Sequence, residues 1–428
     1  MLGEWEWVSL LGLVDRTKGH LQMLVILCRH WWRLAATIGL FALGWLLDRW
    51  QVAASLVAGL NLLSFVLDLA ELRKETNKLY VIHLDKMWLA ELVQSSLSLS
   101  HLSNWCVLAY RDHVAIYSRE LNQAIRELPI TWEFRAERFS LVGPAKILEP
   151  YVLGRYWQSE KSIFNSRKVR LQSLTLDETA DSKKIRTVIQ RTDYFKTLVT
   201  NDITGEKYVE RDSGAVVYDG VSFVVREGVL LSLEDSPCSN QIGASTLAFT
   251  RDGYALIQCQ THFSAQSPSQ LVPSGSGSAD ERDLKGISND FRQFIVRAVE
   301  RELREECGLA RREDVRLRTD VIGFYRLMTR GGKPEFVCVT VMDATSSDVP
   351  GKLADPYTAD IRRVKMPSLE PVDVAERLSA WLEECKAEAS FVLKIHLQFL
   401  DDYLRTNGDA FRDLVKWTGA RESLATQG

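Results

Sequence analysis

The chain has 428 residues, with 53 Lys and Arg against 56 Asp and Glu and a formal charge of −3. At roughly 150 residues per domain, that length leaves room for about three units with a sizeable core. A near-neutral chain without a long basic run gives no reason to expect a surface for a nucleic-acid polymer. Seven cysteines without a C-x-x-C pair read as reduced thiols, and the seven histidines form no zinc pattern.

Near the start, apolar runs at 34–47 and 52–67 are separated only by Asp48, Arg49, Trp50 and Gln51. Each is shorter than the roughly 18–20 residues of a bilayer crossing. Trp31, Trp32, Trp45 and Trp50 at the run ends, with Arg33 able to snorkel, extend both to spanning length. Arg16, Lys18, Arg29 and Arg33 precede the pair and Arg73, Lys74, Lys78 and Lys86 follow it, so a transmembrane helical hairpin is expected with both chain ends cytoplasmic. Gly39, Gly44 and Gly59 offer surfaces for close helix contact or assembly between chains. The apolar block begins too late for a cleavable signal peptide. The alternative is a buried hairpin of ordinary length.

Residues 71–237 are less informative. Helical spacing is expected at 84–97 and 114–128, a charged loop or linker at 176–186, and short strands at 185–190 and 221–225. The aromatics of 194–202 read as core.

From 238 the pattern sharpens. Gly243–Thr250 and Tyr254–Gln260 flank the turn Arg251-Asp252-Gly253, a hairpin signature. Ser274, Gly275, Ser276, Gly277 and Asp280 then fall in a Gly/Ser stretch that reads as an anion-favouring loop and part of a ligand cradle, or as a flexible loop on composition alone. His262, close by, reads as a surface residue. A helix is expected over 291–307, closed by Gly308 as a left-handed cap. Strands at 315–328 and 335–342 flank Arg330-Gly331-Gly332-Lys333, and helices follow at 372–385 and 391–404.

On the 291–307 helix, Glu302, Glu305 and Glu306 stand at i, i+3 and i+4, with Arg301 one turn from Glu305. Clustered carboxylates suit Mg²⁺ or Mn²⁺, which commonly shares its coordination with phosphate oxygens. The alternative is a solvated helix laced with Arg/Glu pairs.

The run Arg301-Glu302-Leu303-Arg304-Glu305-Glu306-Cys307-Gly308-Leu309 resembles the second half of the Nudix box, R-E-U-x-E-E-x-G-U, over a domain at about 238–370. The resemblance implies an α/β/α sandwich in which Glu302, Glu305 and Glu306 are metal ligands or base and Arg301 organises them. The first half departs from the pattern: Ile287 stands where the family has glycine and Gln293 where it has glutamate. Gln293 carries no negative charge, so the departure bears on hydrolysis rather than on the fold.

Divided as 1–30, 31–70 (hairpin), 71–237, 238–370 (Nudix-like) and 371–428, the chain resembles the two-transmembrane Nudix effectors of bacterial CBASS antiphage signalling. That likeness implies an inner-membrane protein binding a cyclic oligonucleotide from a partner nucleotidyltransferase, and assembling into homo-oligomers that disrupt the bilayer. The competing expectation is a membrane-tethered Nudix hydrolase acting on a nucleoside diphosphate derivative with Mg²⁺; a third is a membrane protein with a retired Nudix fold.

Overall fold

A computed structural model describes residues 78–419 apart from 111–112, 158–162, 180–181, 263, 265, 288 and 351–357, with isolated positions at 17, 18, 20, 22, 38, 39, 42, 59, 62, 63 and 66. The order begins β1 (Leu79–His83), α1 (Lys86–Ser98), β2 (Cys106–Tyr110), β3 (His113–Tyr117), α2 (Arg119–Glu127), β4 (Ile130–Arg138), α3 (Gly143–Trp157), β5 (Arg167–Thr179), β6 (Ser182–Asp193) and α4 (Tyr194–Val199). It continues β7 (Glu206–Glu210), β8 (Val216–Asp219), β9 (Val225–Arg226), β10 (Val229–Leu230), β11 (Gly243–Thr250), β12 (Tyr254–Gln260), β13 (Leu271–Val272) and β14 (Gly275–Ser278). The remainder is α5 (Arg292–Glu306), β15 (Leu317–Leu327), β16 (Lys333–Met342), β17 (Thr358–Lys365), α6 (Pro371–Glu384), α7 (Phe391–Thr406) and α8 (Gly408–Gly419).

The central sheet runs β13-β12-β11-β16-β15-β3-β2, with β14 added to β11 and β17 to β12. It joins both halves of the chain, because β3 pairs with β15 at Ala115↔Leu327 and Ile116↔Arg326. Both faces of the central strands are covered, so every residue of β11 is buried, Ser245, Thr246 and Thr250 included. Val337, Val339 and Val341 face α6–α8, while the intervening Phe336 and Cys338 face α5 and the β4–β6–β5 sheet. This is the two-residue period of a strand.

The expected transmembrane hairpin ahead of an α/β/α sandwich is corrected. Among the described residues no helix is long and apolar enough to cross a membrane, and the architecture is mixed α/β on several sheets. The physical reason is length and polarity: α7, with 16 residues, still carries charged side chains, and at 1.5 Å per residue it reaches about 24 Å against a hydrocarbon thickness of about 30 Å. Most of 31–70 lies outside the described residues. The inner-membrane location rested on that hairpin and falls with it.

Smaller differences have local causes. The helix expected over 114–128 is a strand followed by a helix, divided at Ser118, whose hydroxyl caps α2 by accepting from the Leu121 N–H at 3.2 Å. The linker expected at 176–186 is the tip of the β5–β6 hairpin, where Asp177 stands opposite Lys184 and Glu178 opposite Lys183. Opposite charges across a ladder stabilise the ribbon and leave no apolar trace of it. At 221–225 a 3₁₀ turn over Gly220–Phe223 precedes the two-residue β9.

Candidate functional site

Helix α5 forms where expected and ends at Gly308, whose φ of +68° is the left-handed cap. Phe294, Ile295, Ala298, Val299 and Leu303 are its buried stripe. That stripe fixes the rotation of the helix and directs Glu302 and Glu306 toward β14. Gln293 sits near the opposite end and lines a separate cavity of about 370 Å³ with Arg297 and Glu300.

Arg301 is the hub of the box. Its Nε and Nη2 donate to the two Asp283 oxygens at 3.0 and 2.9 Å, and Nη1 donates to Glu302 at 2.7 Å and to Glu305 at 3.3 Å. Burial alone would lower the Arg301 pKa, but the hydrogen bonds to Asp283 and the charge of Glu302 outweigh it and raise it. Burial holds the Glu302 carboxyl above its ordinary range, opposed by Arg301 and Lys168. Glu305 is also held by Arg282 at 3.2 Å. Glu306 reaches across to β14, accepting from the Ser276 N–H at 2.8 Å and from Gln258 at 3.3 Å.

In this arrangement the three carboxylates are engaged by protein groups rather than directed at one point. Glu302 and Glu305 are neutralised by arginines, Glu306 is turned toward a backbone amide, and no group of three or more metal-ligating side chains is gathered among the described residues. Three carboxylates within one coordination sphere would repel unless a divalent charge replaced those partners.

The Gly/Ser stretch is a strand rather than an open loop. Residues Gly243–Thr246 of β11 pair antiparallel with Gly275–Ser278. Ser274 is fully buried, its hydroxyl donating to the Leu256 carbonyl and accepting from the Ala248 N–H at 2.7 Å. The glycines are there for close packing: a Cβ on Gly275 would lie 2.8 Å from the Leu303 backbone, and one on Gly277 would overlap the Glu302 carboxylate. Asp280 forms an ion pair with Lys168, whose ammonium also donates to the Ser278 carbonyl at 3.2 Å.

Two cavities flank this strand and share Phe164, Ser166, Lys168 and Glu306. One, of about 880 Å³, holds Arg301, Glu302, Glu305 and Asp280 in its wall. The other, of about 520 Å³, is bounded by Ser276 and Gly277, by the aromatic rings of Tyr194 and Phe391, and by Arg330 and Lys333. Its volume is within the range of small-molecule pockets. Lys333 is almost wholly buried and paired with Glu335; burial pushes its ammonium below the ordinary lysine range against the pull of that carboxylate. Arg330 pairs with Asp202 at 2.6 Å.

Of the residues singled out from sequence, Arg301, Glu302, Glu305, Glu306 and Asp280 share one cavity wall, Ser276 and Gly277 border the other, and Ser274 and Gly275 are packed inside. Lys168, Lys333 and Phe391 were missed. The cations bracketing Gly331-Gly332 were a usable signal for Lys333; Lys168 and Phe391 had none, because they arrive from β5 and α7.

No protein-family model and no curated protein matches this chain. Among solved structures, DR0079 from Deinococcus radiodurans aligns at 14% identity over 35% of this chain and 83% of its own, with a TM-score of 0.22. At that score the likeness bears on neither the fold nor the function of this chain.

Proposed function

We propose that this protein is a receptor for a cyclic oligonucleotide made by a partner nucleotidyltransferase, held along β14 without being hydrolysed. The observation that carries the reading is the engagement of all three box carboxylates by Arg301, Arg282, Ser276 and Gln258 beside a cavity that pairs aromatic rings with buried cations. Bases stack on aromatic faces while phosphates are drawn to lysine and arginine. Such a ligand favours assembly of the protein only through higher affinity for the assembled form.

A Nudix-type hydrolase acting on a nucleoside diphosphate derivative is the second reading. It is favoured by the 880 Å³ cavity, into which Glu302, Glu305 and Glu306 still open. The test is to titrate the full chain with cyclic and linear nucleotides, with and without Mg²⁺, recording binding and product together. Tight binding of one cyclic oligonucleotide without breakdown supports the receptor. Mg²⁺-dependent product that disappears on changing Glu305 and Glu306 to Gln overturns it in favour of the hydrolase.

A further inference from the structure

Arg326 presents a different problem. It lies on β15 beside Leu327, and successive residues of a strand face opposite sides of the sheet. Leu327 borders the 520 Å³ cavity, whereas Arg326 borders a cleft of about 550 Å³ formed by the start of α2, the 232–235 turn and β5. The residue is 1% exposed; its Nη1 donates to the Leu231 carbonyl at 2.8 Å and its Nε to the Gly332 carbonyl at 3.4 Å. Its Nη2 is buried without a hydrogen-bond partner, and among the described residues no carboxylate is paired with it. Burial pulls its pKa down to about 10.

A buried charge without a counter-ion is strongly unfavourable unless something supplies one. We propose that the Arg326 cleft is a second binding site, for a ligand carrying one carboxylate or phosphate group on an apolar body. The anionic group reaches the guanidinium, for which a planar two-oxygen acceptor is the natural partner. The apolar body lies along Trp105, Leu174 and Leu176, which line the cleft and are only partly buried. Glu120, Glu234 and Asp235 stand exposed at the rim, so a ligand bearing several charges is repelled and one with a single anionic head is selected. The site is separate from the β14 cavities and does not rest on the receptor reading.

The experiment uses benzoate and phenyl phosphate as probes, with benzamide as the uncharged control, and follows the melting temperature of the full chain with probe concentration. Both anions raise the melting temperature saturably and benzamide does not. Leu176→Trp enlarges a partly buried side chain on the same face of β5 as Leu174, fills the cleft and abolishes the shift. Arg326→Met weakens binding of both anions at least about tenfold, as expected for losing a charge-assisted hydrogen bond. If Arg326→Met does not fold, Leu176→Trp decides alone. No saturable shift with either anion, an equal shift with benzamide, or an undiminished shift in Leu176→Trp overturns the proposal.

Discussion

The Glu302 carboxylate lies against the α-carbon side of Gly277, in space that a side chain at position 277 would occupy. At Gly275 the opposing group is the Leu303 backbone, 2.8 Å from where a Cβ would be. A side-chain end can turn aside, whereas a helix backbone cannot. Gly275→Ala is therefore expected to cost more than Gly277→Ala, within the roughly 1–3 kcal/mol typical of overpacking. Urea unfolding midpoints of the two variants measure the order; an equal or reversed order removes the steric account.

Arg301 compensates Asp283, which is almost fully buried, together with Glu302. Arg301→Met leaves those carboxylates without their cation and is expected to destabilise the fold by about 3–5 kcal/mol, as when one partner of a buried ion pair is removed. Adding Asp283→Asn should restore part of that loss, which a double-mutant cycle in denaturant would read directly.

His396 is fully buried, with Nδ1 3.1 Å from the Ser245 hydroxyl, and burial pulls its pKa down from 6.5 to about 3. The unfolded chain binds a proton below pH 6.5 and the folded chain does not until far lower. Stability from this residue is therefore complete above pH 6.5 and lost as pH falls toward 3, by about 2 kcal/mol at pH 5. His396→Asn keeps a partner for Ser245 and should flatten that part of the stability profile; an unchanged slope between pH 7 and 5 would exclude His396 as its source.

For the proposed receptor, Phe391→Ala removes a stacking face and Lys168→Ala removes a cation at the junction of the two cavities. Loss of a stacking ring lowers affinity by about 1–3 kcal/mol for each base. Lys168→Ala should weaken binding chiefly at low ionic strength, since part of a lysine–phosphate attraction is screened by salt. Isothermal titration of both variants at two salt concentrations separates the effects. Equal affinity in wild type and both variants would place the ligand elsewhere.

What could be read from the chain was what repeats locally. The α5 helix, its Gly308 cap and the β11–β12 hairpin have their causes within a few residues of themselves, and all three are present. The β5–β6 tip was hidden because Asp177 and Glu178 find Lys184 and Lys183 across the ribbon, so the evidence for the strands is a pairing rather than a periodicity. The glycines of β14 looked like freedom of the backbone, yet their reason is α5 lying on top of them, a contact between segments separated along the chain. The three acidic residues of the box were legible as a shared helix face. That Arg301 and Arg282 would engage two of them, and Ser276 the third, depended on tertiary placement.

The turn Gly331-Gly332 joins the two sides of β15 and β16. The Arg326 guanidinium donates to the Gly332 carbonyl on one face of the sheet, while Lys333, the next residue, is buried in the cavity on the other. Only if a ligand on Arg326 shifts the Gly332 peptide does the setting of Lys333 change with it. By thermodynamic reciprocity, whatever affinity the first occupant lends or takes from the second is returned in equal measure. Two ligands on opposite faces of one sheet would sense each other through a single hydrogen bond, without meeting.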